Sequence, residues 1–277
     1  MLKALIKAMR LRQWTKNGFV FFGLIFDKQL FRPEPFWRTV EGFFLFCLIS
    51  SAVYLFNDIS DVEADRNHPQ KKFRPIASGK LPINTALVAA LLLTIVALPL
   101  GYVLSPVFAL ILSVYLVTNL LYSRWLKHVS ILDVLIVSSG FVLRVGAGVA
   151  LITVERFSPW LYMITVLFSL YIGLGKRRAE MNLLEQGASA HRKVFEGYTI
   201  PLLDQYITIV SGMTIVAYSL YTFSAPNLPA NHTMMLTIPF VVYGIFRYLQ
   251  LIQVGHAAGA PDEVALGPTH PVRVSEG

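Results

Sequence analysis

Apolar residues fall in long blocks, at roughly 17–31, 39–57, 83–104, 106–122, 131–153, 158–175, 203–224 and 233–253. These eight blocks, each of about 15–23 residues, sit near the ~20 that a helix needs to cross hydrocarbon. The first is the shortest and weakest. Pro106 separates the third block from the fourth, because proline removes a helix donor. The linkers are short except 58–82 and 176–202, and no domain boundary is visible. The pattern therefore predicts an all-α polytopic membrane bundle of eight helices, a single integral domain over residues 1–277. Residues 1–16 carry Lys3, Lys7, Arg10, Arg12 and Lys16 between Leu2, Leu5, Ile6, Met9 and Trp14. They predict an amphipathic helix on the anionic membrane face. The Gly/Pro/Val-rich tail 254–277 lacks periodicity and is expected to be flexible.

Composition agrees with the pattern. The chain is 55% hydrophobic and 14% charged, with a mean hydropathy of +0.58. A net charge of +8 would suit nucleic acid, but its distribution points to topology and phosphate binding. With the N-terminus inside, 19 of the 24 Lys and Arg fall in inside segments and four in outside turns. This orients both long loops and a charged site to the cytoplasm, in a cell membrane. The single cysteine, Cys47, excludes an intrachain disulfide and a cysteine-based metal site. The histidines show no metal spacing, and no P-loop, Ser-His-Asp order or dinucleotide fingerprint is present. No cleavable signal peptide is apparent.

The most informative block is 57–79, NDISDVEADRNHPQKKFRPIASG, at the end of an apolar stretch. Asp58, Asp61 and Asp65 lie within about 60° of one another on one helix face. Mg²⁺ prefers hard oxygen ligands shared between carboxylates and substrate phosphates. Asn57 can add an amide oxygen. Lys71, Lys72 and Arg74 follow, in a loop stiffened by His68-Pro69 and Arg74-Pro75 and turning at Ser78-Gly79. A basic loop folding back over an acidic helix end can hold phosphate oxygens. The plainer readings are a solvated helix end and positive-inside topology.

Arg144 is the costliest residue. It lies about 20 Å into its span, where a charge costs at least ~2.5 kcal/mol on insertion scales. Asp133 and Gly140 share its stripe, placing an acid near the mouth and an arginine deeper. The alternatives are a structural ion pair or snorkelling. Tyr122 and Lys127 precede Asp133 in the turn YSRWLKHVSILD; Lys176 and Arg177 end a span in GKRRAE; Lys16 and Asn17 open the first span in RQWTKN. Each is a candidate substrate-binding group, though helix ends also favour cations for topology alone.

Together these blocks resemble the UbiA-type superfamily of intramembrane prenyltransferases, carried by NDxxDxxxD at Asn57, Asp58, Asp61 and Asp65 and by RPIASG at 74–79. The likeness is nearest to the decaprenyl-phosphate phosphoribosyltransferase branch. RQWTKN at 12–17, YSRWLK at 122–127, LDVLIVSSGFVLRVGAG at 132–148, GKRRAE at 175–180 and IPFVVYGIFRYL at 238–249 carry that part. The resemblance implies a cavity among the helices, open to cytoplasm and lipid. It implies Mg²⁺-dependent transfer from 5-phosphoribosyl 1-pyrophosphate (PRPP) to a long polyprenyl phosphate, with Asp58, Asp61 and Asp65 as metal-binding and catalytic residues. The product would feed lipid-linked pentose and cell-wall glycan synthesis, with a phosphatase and an epimerase acting downstream. Members that act on aromatic substrates carry a second acid-rich motif of DxxxD type; residues 122–133 hold only Asp133. That departure favours a sugar pyrophosphate donor over a prenyl diphosphate. An aromatic prenyltransferase of quinone or haem synthesis is the nearest rival. A lipid-phosphate transporter is the rival of another class; no internal repeat supports it.

Overall fold

Long apolar blocks become long helices. In the computed structural model, residues 1–68, 70–153, 159–185, 193–225, 228 and 231–253 are described. Among them every regular element is helical. The order is α1 (Leu2–Ala8), a 3-10 segment (Leu11–Phe21), α2 (Phe22–Phe26), α3 (Pro33–Ser60) and α4 (Val62–Arg66). Then come α5 (Ile83–Leu104), α6 (Pro106–Arg124), α7 (Leu132–Val149), α8 (Pro159–Glu185), α9 (Ile200–Ser224) and α10 (Ile238–Gln253). Six stretches among the described residues are long and apolar enough to cross a membrane: α3, α5, α6, α7, α9 and Thr233–Gln253. The block at 158–175 forms the start of α8, which runs on to Glu185. The break at Pro106 falls where expected: Ser105 caps α6, its hydroxyl accepting from the Phe108 amide. The tail 254–277 and the middle of the 176–202 loop lie outside the described residues.

α3 is the hub, packing on α5, α6, α7 and the 3-10 segment. On α5 the buried positions are Ala86, Ala90, Ala97 and Gly101, small residues that let two helix backbones approach. The opposite face exposes Leu91, Leu92, Ile95, Val96 and Val103. A helix apolar all round with one face unpacked is what a lipid solvent selects. A second layer runs α7–α8–α9–α10 around Val134, Tyr171, Leu174, Leu203, Ile207 and Ile245.

Three expectations are corrected. The first apolar block is not one helix. It divides into the 3-10 segment, α2 and a turn in which Lys28 takes a φ of 55°. The cause is its closeness to α7: a Cβ at Gly148 would stand 1.8 Å from the Val20 carbonyl oxygen. Ordinary helix pairs keep their axes 8–10 Å apart, so backbone contact of this kind needs a tighter coil and a glycine. The amphipathic helix expected over 1–16 ends at Ala8, and Arg10 turns the chain in the left-handed region at φ 54° and ψ 52°. Ser51 holds both sides of this turn, donating to the Met9 carbonyl and accepting from Trp14 Nε1. Finally, the acidic face is not one unbroken helix: α3 ends at Ser60, and Asp61 relaxes to φ −98° and ψ 8°. The i to i−4 amide bonds persist through the kink, from Asp61 to Asn57 and from Asp65 to Asp61.

Candidate active site

The α3 terminus gathers three acids and three bases. Asp58 and Asp65 are both buried. Arg74 Nη1 lies 3.2 Å from Asp58 Oδ1 and 2.7 Å from Asp65 Oδ2, bridging the two carboxylates. The loop that delivers Arg74 is itself packed. Arg74 adopts the extended conformation (φ −62°, ψ 146°) that a following proline imposes. Beyond it Ile76 and Leu81 bury among α1, α3 and α5, and Gly79 supplies the positive φ of the turn. The Arg10 guanidinium reaches the same Asp58 Oδ1 at 2.6 Å. Asp61, 32% exposed, accepts from Lys127 Nζ at 2.6 Å. Asn57 accepts from Ser123 of α6. The first and second inter-helix loops are thereby joined by one polar cluster.

A second network lies beside the first. Asp133, fully buried at the start of α7, accepts from Arg177 Nε at 2.5 Å and from the Tyr198 hydroxyl at 2.7 Å. Arg177 also pairs with Glu180. The Tyr198 hydroxyl accepts from the Ile131 amide at 2.6 Å. Burial, with the hydrogen bond to Asp133 behind it, pushes the Tyr198 phenol well above its ordinary range. It therefore stays a donor at any physiological pH. Tyr122 is half-buried near the end of α6, and Lys176 is exposed one residue before Arg177.

Arg144 belongs to neither network. Its Nε donates to Asn17 Oδ1 at 2.8 Å, Nη1 to the Gly140 carbonyl at 2.7 Å and Nη2 to the Tyr115 hydroxyl at 2.9 Å. The rings of Phe46, Tyr115 and Phe141 lie 5.1–5.5 Å from its guanidinium carbon. Asn17, 1% exposed, completes the lattice by donating to Ser50 Oγ and Cys47 Sγ. Helix geometry does put Asp133 and Arg144 on one stripe, but each takes its partners from other elements. Arg144 ties the 3-10 segment to α7, close to where Val20 meets Gly148.

A family model described as the UbiA prenyltransferase family matches residues 19–261. The chain belongs to the UbiA prenyltransferase family. It is similar to a decaprenyl-phosphate phosphoribosyltransferase of Mycobacterium tuberculosis strain H37Rv, at 36% identity over 94% of this chain and 87% of that protein. A Corynebacterium glutamicum protein of the same name is 36% identical over 95% of this chain and 80% of that protein. Among solved structures, a UbiA homologue from Archaeoglobus fulgidus bound to GPP and Mg²⁺ superposes with a TM-score of 0.76 at 14% identity. That match covers 96% of this chain and 93% of the other, and it shows the fold.

For a UbiA protein the question is whether these residues fit a divalent metal. Among the described residues no three His, Cys, Asp or Glu side chains form a ready-made cage. Two carboxylates do converge, Asp58 and Asp65, with oxygens within 3.2 Å of one shared nitrogen. An all-oxygen pair fits Mg²⁺, which is commonly held by one or two carboxylates plus substrate phosphates. Of the sequence-derived candidates, Asn57, Asp58, Asp61, Asp65, Arg74 and Lys127 meet in the first cluster. Lys71 lies three residues before Arg74, half-buried, its amide donating to His68 Nδ1. Asp133 and Arg177 form the second cluster, while Asn17 and Arg144 sit in the core. Lys16 is half-buried in the 3-10 segment next to Asn17. Arg10 and Tyr198 join these networks from outside the sequence-derived candidates. Only Arg10's place in the basic N-terminal run hinted at a role.

Proposed function

We propose that this protein transfers 5-phosphoribose from PRPP to a polyprenyl phosphate of decaprenyl type, releasing pyrophosphate, at the cytoplasmic face of the cell membrane. The observation that carries the reading is the fate of the second loop. Its one acid, Asp133, is fully buried and committed to Arg177 and Tyr198. Its Lys127 instead approaches Asp61. A second carboxylate clamp for a prenyl diphosphate has no residues to build it among those described there, whereas a cation suits a donor carrying an extra 5-phosphate. The relatives named as decaprenyl-phosphate phosphoribosyltransferases, similar over most of both chains, support the same donor and acceptor.

Asp58 and Asp65 would hold Mg²⁺, with Asp61 contributing through the same helix end. Bound there, the ion supplies charge neutralisation for a leaving pyrophosphate. Arg74 and Lys127, each about a quarter exposed, can turn from carboxylate to phosphate oxygens without disturbing the core. Departure of pyrophosphate leaves an oxocarbenium-like anomeric carbon, by analogy with glycoside chemistry. The acceptor phosphate is already anionic, so its attack needs no strong base. The prenyl chain gains little by leaving lipid for an apolar helix face, so acceptor recognition rests on its phosphate.

Purified protein in detergent, given Mg²⁺, labelled PRPP and decaprenyl phosphate, is expected to form a labelled lipid, and Asp61→Ala to abolish it. A wild type that ignores PRPP yet couples a prenyl diphosphate to an aromatic acid would overturn the assignment.

A further inference from the structure

Asp58 Oδ1 carries two guanidinium groups, from Arg74 and from Arg10. Arg74 alone bridges Asp58 to Asp65, so Arg10 is surplus to that bridge. Asp58 and Arg10 differ in exposure: the Asp58 side chain is 2% exposed and the Arg10 side chain 30%. Packing holds the carboxylate in place, while a partly solvated guanidinium has room to turn. Arg10 also has a second contact, made in the same conformation as the first and independent of the carboxylate. Its guanidinium carbon lies 4.7 Å from the ring centre of Tyr54, one helical turn before Asp58 on α3. The arm that carries it is short and anchored. Residue 10 holds a left-handed conformation that is costly for a side chain with a Cβ, and Ser51 fixes the chain on both sides. Charge in the cluster is matched one for one, Arg10, Arg74 and Lys127 against Asp58, Asp61 and Asp65. A dication entering this balanced site brings an excess of two positive charges, which the anionic charge of a diphosphate offsets.

We propose that Arg10 is a displaceable counter-cation of Asp58, holding the carboxylate in the metal-free protein, yielding it to a divalent cation, and then binding the diphosphate that accompanies that cation. The proposal rests on the reading of Asp58 and Asp65 as a metal and diphosphate site, and it extends the donor contacts to a residue from the N-terminal arm. Arg10 then links docking of that arm on α3 to the state of the site.

The test uses full-length protein in detergent as wild type, Arg10→Met and Arg10→Lys, with Mn²⁺ alone as the first probe and inorganic pyrophosphate at saturating Mn²⁺ as the second. Titration calorimetry reads both. Arg10→Met is expected to bind Mn²⁺ roughly tenfold more tightly and pyrophosphate roughly tenfold more weakly. Arg10→Lys, which keeps the charge and loses the fork, is expected to shift both in the same directions by about threefold. Unchanged or weaker Mn²⁺ binding in Arg10→Met, or unchanged pyrophosphate binding, overturns the proposal. If Arg10→Met does not fold, an Arg10→Lys protein identical to wild type with both probes overturns it equally. Neither probe contains a sugar. A wild type that binds both but never turns over PRPP removes the donor assignment while leaving the role of Arg10 standing.

Discussion

Two buried charge centres share this bundle and are built on opposite terms. At the end of α3, the buried carboxylates of Asp58 and Asp65 are covered by Arg10 and Arg74, each more than a quarter exposed. Around Arg144, itself 6% exposed, the guanidinium is sealed by the Asn17 amide, the Gly140 carbonyl and the rings of Tyr115, Phe46 and Phe141, with no carboxylate paired to it among the described residues. The first centre can exchange partners without repacking the protein. The second cannot, because its donors are spent on groups that would be left unsatisfied. Cost of burial alone therefore does not mark a reacting group. What marks it is a fixed anion with a movable counter-charge.

This contrast can be broken most sharply at the acids. Replacing Asp58 and Asp65 together by Asn is expected to lower phosphoribosyl transfer by about 1000-fold or more, through lost metal and leaving-group stabilisation. The melting temperature should hold, since the released bases can hydrate. Arg144→Met is expected to do the reverse. It strips partners from Asn17, Gly140 and Tyr115, at about 1–3 kcal/mol for each buried group left unsatisfied. A lower melting temperature in detergent, only partly recovered by Arg144→Lys, is the expected sign. An Arg144→Met protein with an unchanged melting temperature and no turnover would collapse the distinction between the two centres.

A smaller effect is expected at Lys127→Ala. The donor KM should rise by about tenfold with a lesser change in kcat, as for one charge-assisted phosphate contact. Unchanged kinetic constants would remove Lys127 from the site. Smallest in turnover is Tyr198→Phe, which deletes a donor to Asp133 and the acceptor of the Ile131 amide and should cost about 1–3 kcal/mol of stability with little change in turnover. A large turnover loss there would move the second network into the reaction.

Much of this was legible in residue order because it is local. Block length gave the long helices, Pro106 gave a boundary, and three- and four-residue spacing put Asp58 near Asp65. Arg74 was legible because the loop carrying it is proline-stiffened and follows directly on the acidic helix end. The rest was set by contacts far apart in sequence. Arg10 reaches Asp58 across 48 residues, and Tyr198 reaches Asp133 across 65. Neither has a local signature. The break of the first block follows from the approach of Val20 to Gly148, a packing fact that hydropathy does not encode. The stripe joining Asp133 to Arg144 shows the same limit: periodicity gives a helix face correctly but leaves its partners open.

The most direct test of the central claim is pyrophosphate release by the detergent-purified protein, with PRPP and decaprenyl phosphate supplied singly and together in Mg²⁺. Release is expected only when both are present, and to be lost when Asp58 and Asp65 are both Asn. Release that needs a prenyl diphosphate and an aromatic acceptor, with none from PRPP and decaprenyl phosphate, would contradict the account.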